Sequence, residues 1–211
     1  MSKLIDRVKD SSEIDVFTEA AIMNALQGSA DSRYGMVKRA LKSGEIIRLK
    51  RGLYSFGSKH QRKGVNLFQL AQMIYGPSYI SFECALAHHG WIPEAVYSVT
   101  SVSARRSRDF KTPLGIFSYT HIPSNDFLAG VERVASEEGV FLMATPARAL
   151  ADYVYAHKLV WTGLKPVVES LRVDPDCFKT VQDPLLVELQ SAARSERVRD
   201  FLRGVRKELA S

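Results

Sequence analysis

Residues 31–51 carry seven basic side chains, Arg33, Lys38, Arg39, Lys42, Arg48, Lys50 and Arg51, against two acidic ones, Asp31 and Glu45. That local excess of five, seven minus two, is most of the formal net charge of +6 carried by 211 residues. Lysine and arginine attract phosphates by charge, and arginine can add a paired hydrogen bond to guanine in the major groove. The chemistry on offer is recognition of duplex DNA. A second cluster, Arg105, Arg106, Arg108 and Lys111 against Asp109, flanks Phe110. It can hold nucleic-acid phosphates, stack on a base, or serve as a solvated connection between strands.

Other residue types that do chemistry are sparse. His88 and His89 project about 100° apart on a helix, unlike the i, i+4 pair that grips zinc in a hydrolase. Glu83 has no second carboxylate and lysine at a strand spacing nearby, as a nuclease would need. Packing or helix-end hydrogen bonds are expected for all three, and the same reading holds for His121, Asp152 and His157, while His60 reads as solvated. Cys84 and Cys177 are far apart and lack CxxC spacing, so reduced thiols are expected rather than a zinc site or a disulfide. No catalytic residue, metal or cofactor is expected.

Composition bounds the class. With 45% apolar residues the chain can bury a core for one large domain or two small ones. The basic balance favours nucleic acid over membrane, because there is no run of eighteen apolar residues and no lipid-anchoring motif. Residues 1–14 alternate charged and apolar types without a signal-peptide core, so a cytoplasmic protein is expected.

Elements must position the basic set. Thr18 and Glu19 start a helix in which Ile22, Ala25 and Leu26 recur at i, i+3, i+4 until Gly28. Ser29 caps a second helix that Gly44 stops. On it Val37, Ala40 and Leu41 take one side, with Tyr34 at the flank, while Ser32, Gly35, Lys38, Arg39 and Lys42 take the other. Arg33 falls nearer the apolar edge. Alone, such a helix is most simply a solvated amphipathic one. The adjoining β-prone runs 45–49 and 52–56, joined by Lys50-Arg51, change that reading. Ile47 and Leu49 are expected to face the core, with Ile46, Arg48 and Lys50 facing away. A basic helix followed by a basic hairpin is the pattern of a winged helix-turn-helix.

Residues 57–66 are polar, basic and glycine-containing, the composition of a linker. Beyond them, Leu67, Leu70, Ala71 and Ile74 predict a helix, and Tyr79-Ile80 lead into another that Ser81 can cap. Alternation over 96–102 and 115–122 predicts a meander or long hairpin. Runs at 131–134 and 140–143 predict a further hairpin around residues 136–139, and Thr145-Pro146 open a helix. Helices are expected near 164–171, 184–193 and 198–209. The last has a charged outer face that is either solvated or an extension of a DNA-facing surface.

The segments GEIIRLKRGLYSF, PSYISFECALAHHGWIPEAVYSVTSVSARRSRDFKTPLGIFSYTHI and MATPARALADYVY together resemble the AbiEi family of antitoxins, from type IV toxin-antitoxin systems of abortive infection. The likeness covers residues 17–155, in order and spacing. It implies an N-terminal winged helix that represses its own promoter, a C-terminal domain that confers immunity, and a nucleotidyltransferase toxin counteracted without a stable complex. It carries over no catalytic residues.

The expected architecture is therefore α+β. A winged helix-turn-helix DNA-binding domain spans residues 1–57, a linker 58–66, and a mixed α/β antitoxin domain with C-terminal helices 67–211. Promoter DNA would meet Ser32, Arg33, Lys38, Arg39 and Lys42 on the helix and Arg48, Lys50 and Arg51 on the wing, with two copies on repeated sites. A stand-alone regulator with a ligand- or partner-sensing second domain, and a nuclease-like enzyme, are the competing readings.

Overall fold

The computed structural model describes residues 3–12, 14–93, 97–137 and 139–210. Val96 and Glu138, which belong to the expected strand and turn above, lie outside the described residues. The fold is α+β, and the described residues form two sheets and two hydrophobic cores.

The N-terminal unit runs α1 (Lys3–Ser11), β1 (Val16–Thr18), α2 (Glu19–Ala25), α3 (Ala30–Lys42), β2 (Ile46–Lys50) and β3 (Leu53–Phe56). Leu4, Ile5 and Val8 form the buried stripe of α1, packed with Phe17, Ile22, Val37, Ala40, Ile46 and Phe56. Each buried aliphatic side chain contributes about 1.5–3 kcal/mol relative to exposure. Thr18 and Ser29 cap α2 and α3 by accepting from the amides of Ala21 and Ser32 at 3.2 and 3.3 Å. Each cap is worth about 1 kcal/mol. Between the two helices Gly28 takes φ +107°, a conformation side chains resist. The sheet order is β1-β3-β2, all antiparallel. Strand β1 has no counterpart in the sequence reading because three residues are too short to display alternation.

Residues 57–66 are not a free tether. Asp15, buried just before β1, accepts from the amides of Arg62, Lys63 and Gly64 at 2.8, 3.1 and 3.2 Å through one carboxylate oxygen. The Arg62 guanidinium donates to the carbonyls of Lys9 and Ser12 at the end of α1. A single 3-10 turn, Ser58–His60, fills the remainder. The boundary expected at residue 57 is also crossed by packing, since Val16, Leu49 and Leu53 are buried in the second core.

The larger unit runs α4 (Leu67–Ile74), β4 (Ser78–Ile80), α5 (Phe82–His88), β5 (Val99–Ser103), β6 (Arg108–Thr112), β7 (Gly115–His121), β8 (Val131–Ser136), β9 (Gly139–Ala144), α6 (Pro146–Ala156), α7 (Lys165–Leu171), α8 (Asp183–Ala192) and α9 (Glu196–Leu209). Its six strands are ordered β6-β7-β5-β4-β9-β8. The expected meander is instead a mixed arrangement. Strands β5 and β7 are parallel, and β6 pairs back on β7 at the sheet edge. Alternation reports which face a residue takes and is silent about neighbours. Strand β6 itself lies inside the predicted basic connection, because Phe110 is its one apolar residue and a solvated edge strand has no period to read. Residues 78–80 are a strand rather than a helix approach, buried on both faces between β5 and β9.

Candidate nucleic-acid interface

Helix α3 presents its cations as the sequence leads one to expect. Val37 and Ala40 are buried, while Ser32, Lys38, Arg39 and Lys42 are exposed on the opposite side. The guanidinium of Arg39 lies back over Gly35, which has no side chain to displace it. Arg33, nearer the apolar edge as its spacing had it, does not join the outward cations expected to meet DNA. It shares the stripe of Val37 and Ala40, so its side chain turns inward and donates to the Met23 carbonyl at 3.1 Å. It ties α3 to α2.

The hairpin also differs in phase. Ile46 pairs with Phe56, Ile47 with Ser55 and Arg48 with Tyr54, but Lys50 then pairs with Leu53, leaving Leu49 as the extra residue of a bulge. Ile46, ahead of the bulge, points into the N-terminal core and Leu49 into the larger one; simple alternation had Leu49 inward and Ile46 outward. Arg48 and Arg51 remain exposed. Lys50 does not. Its ammonium donates to the Ile74 carbonyl, where α4 ends, and burial followed by the charge of Arg105 holds it below the ordinary lysine range. The partial negative charge of a helix C-terminus rewards a cation there.

Through that contact the two basic clusters become neighbours. Arg105 lies over the Tyr75 ring at 5.7 Å and Arg108 over Phe110 at 5.0 Å, while the Tyr75 hydroxyl donates to the Arg106 carbonyl at 3.2 Å. Tyr75, Phe110 and Tyr119 pack on one another with ring centroids 5.2–5.7 Å apart. Their faces are occupied, which leaves phosphate contact by Arg105, Arg106, Arg108 and Lys111, all exposed, as the chemistry this segment can perform. At the other end, Tyr34 and Arg48 both act electrostatically on the Tyr54 hydroxyl. An arc of cations thus runs from α3 over the hairpin to β6.

Among the described residues none of Lys38, Arg39, Lys42, Arg48, Arg51, Arg105, Arg106, Arg108 or Lys111 forms an ion pair with an acidic side chain. Helix α9 behaves otherwise. There Arg199 meets Glu196, Arg203 meets Asp200 at 2.7 Å, and Arg206 meets Asp183 at 2.5 Å. These three cations are paired in place.

No family model matches this chain, and no curated protein does.

A second polar constellation lies inside the larger unit. Arg148 and Asp152, i and i+4 on α6, are 4% and 2% exposed and joined at 2.9 Å. Arg148 also donates to the Ala129 carbonyl at 2.8 Å and the Tyr79 hydroxyl at 2.5 Å; Tyr79 and Ser81 donate to Asp152 at 3.0 and 2.8 Å. Burial, then the Asp152 charge, keeps Tyr79 protonated, so it can donate there. The cavity alongside holds about 30 Å³, room for one water. Every one of these groups is engaged internally, and the set binds β4 to α6. The sequence signal was the charged pair at i, i+4 amid alanines.

Ser81 occupies the position before α5, yet its hydroxyl serves this network rather than capping the helix. His89 contacts the Ala144 carbonyl at 3.0 Å and Glu132 at 3.5 Å, and His88 packs against Phe68 and Phe141. Among the described residues no three His, Cys, Asp or Glu side chains are placed to hold a metal ion. Glu83 is half-buried near Tyr153.

Proposed function

We propose that this protein is a non-enzymatic, winged-helix DNA-binding antitoxin that represses its own promoter and counteracts a nucleotidyltransferase toxin. In this reading α2 and α3 are the helix-turn-helix, with α3 in the major groove, and β2–β3 is the wing. The observation that carries the DNA half is the arc of exposed cations without acidic partners, which starts on α3 and continues over the hairpin onto residues 105–111. Unpaired cations on a rigid surface gain by releasing the counterions condensed on DNA. The antitoxin half rests on the resemblance of residues 17–155 to AbiEi antitoxins.

The test has two arms. Titration of the purified chain against the duplex upstream of its own gene should give binding that weakens steeply with salt, and absence of binding would sink the repressor half. Expression of the neighbouring gene should halt growth unless this protein is co-expressed; no rescue would sink the antitoxin half. A plain regulator with a sensing second unit is the other reading. It is favoured by a cavity of about 210 Å³ between residues 14–16, residues 63–66, α4 and the β8–β9 turn. Promoter binding with no toxic neighbour would select it.

A further inference from the structure

We propose that Tyr34 reads a thymine 5-methyl group in the major groove, and so sets sequence preference where the surrounding cations set affinity. This rests on the reading that α3 enters the major groove. Tyr34 is 67% exposed on α3, although its spacing in the sequence put it at the flank of the apolar stripe. Among the described residues its hydroxyl has no hydrogen-bond partner, and no other aromatic ring packs on it. A large ring left in water contributes little to the core and is free to contact a partner.

Its surroundings define the occupant. Lys38 lies one turn further along the same face, and Arg48 approaches from the hairpin side, near the Tyr54 hydroxyl that Tyr34 also influences. Gly35, next to Tyr34, has no side chain, and the Arg39 guanidinium lies over it, which brings a cation beside the Tyr34 ring. Cations flanking the ring would fix phosphates on either side, and contacts of that kind carry no sequence information. The apolar group that the major groove displays is the methyl of thymine, which an aromatic or aliphatic side chain meets by contact. Tyr34 is the large apolar side chain exposed on this face.

The experiment selects duplexes from a library with a randomised centre, using the full wild-type chain, Tyr34→Ala and Tyr34→Phe, then measures affinity for the selected duplex with thymine or with deoxyuridine at the enriched position. Wild type and Tyr34→Phe should enrich one T·A pair that Tyr34→Ala does not. Both should lose about fourfold in affinity on the uracil duplex, the value of one buried methyl group, while Tyr34→Ala binds the two duplexes equally. Identical selected sequences for wild type and Tyr34→Ala, equal wild-type binding to thymine and uracil, or loss of the preference in Tyr34→Phe each overturn the inference while leaving DNA binding intact. Failure of the wild-type chain to bind any duplex overturns the DNA-binding reading and the inference with it.

Discussion

The ammonium of Lys50 donates to the main-chain carbonyl of Ile74, so the tip of the β2–β3 hairpin is fixed to the end of α4. A cation that looked, by its place in the sequence, like the leading edge of a wing instead joins the two units. The hairpin therefore does not sweep freely. The same contact sets Arg105 beside the hairpin tip.

That juxtaposition has a pH signature. Burial, and then Arg105, lowers the Lys50 pKa in the folded chain. Between the lowered folded value and the ordinary lysine value the unfolded chain binds more protons, so this group makes stability rise with pH in that window. Below the window it opposes folding to a constant extent. Arg105→Ala removes the smaller cause, so the Lys50 titration followed by NMR should move up part of the way and the window should narrow. An unmoved titration would place Arg105 away from Lys50.

Replacing Arg39, Arg48 and Arg51 together by alanine should weaken promoter binding more than tenfold, with the slope of log affinity against log salt reduced by about one per lost phosphate contact. Arg105→Ala with Arg106→Ala and Arg108→Ala should flatten the slope similarly. The control is α9, whose Arg199, Arg203 and Arg206 are already paired. Their replacement should leave the slope unchanged, measured by fluorescence anisotropy across a salt series.

What could be read from the sequence followed from long periodic elements and from capping. Helix α3 with its Ser29 cap, the β2–β3 hairpin, and α6 opening at Pro146 all repeat a pattern over several turns or pairs. What escaped was decided at long range. Lys50 is basic like its neighbours, and only the carbonyl of Ile74, distant in the sequence, draws it inward; Arg33 was legible as lying nearer the apolar edge, but its acceptor, the Met23 carbonyl, was not. Leu49 is buried and Arg48 exposed as alternation had them, but Ile46 is buried as well, because the strand serves a different core on each face where alternation assumes a single one. Tyr34 escaped because a helical wheel shows angle and not depth.

Asp15→Ala should destabilise the chain by at least about 2 kcal/mol, because three amides at residues 62–64 lose their acceptor in a part-buried turn. Asp15→Asn keeps a carbonyl acceptor without the charge, and should fall between wild type and alanine in urea denaturation. Hydrogen exchange should quicken at the amides of Arg62, Lys63 and Gly64 in the alanine variant before it does elsewhere. Unchanged exchange there would show that the segment is held by the Arg62 side chain alone.

The Arg148–Asp152 pair is the sterner test of what holds the larger unit. Both side chains are almost fully buried, and each satisfies the other along with Tyr79, Ser81 and the Ala129 carbonyl. Removing one partner strands a charge in a low-dielectric interior, so Asp152→Ala should cost about 3–5 kcal/mol in urea denaturation. Replacing both by apolar residues of similar volume, Arg148→Met with Asp152→Leu, removes the stranded charge and should recover most of that loss. The hydroxyls of Tyr79 and Ser81 then lack their acceptor and keep the recovery incomplete. Promoter affinity of the folded double variant should stay within about twofold of wild type, since no member of the network touches the cationic arc and sites without shared partners act additively. A double variant as unstable as Asp152→Ala would mean that the network's geometry, and not the uncompensated charge, holds β4 against α6.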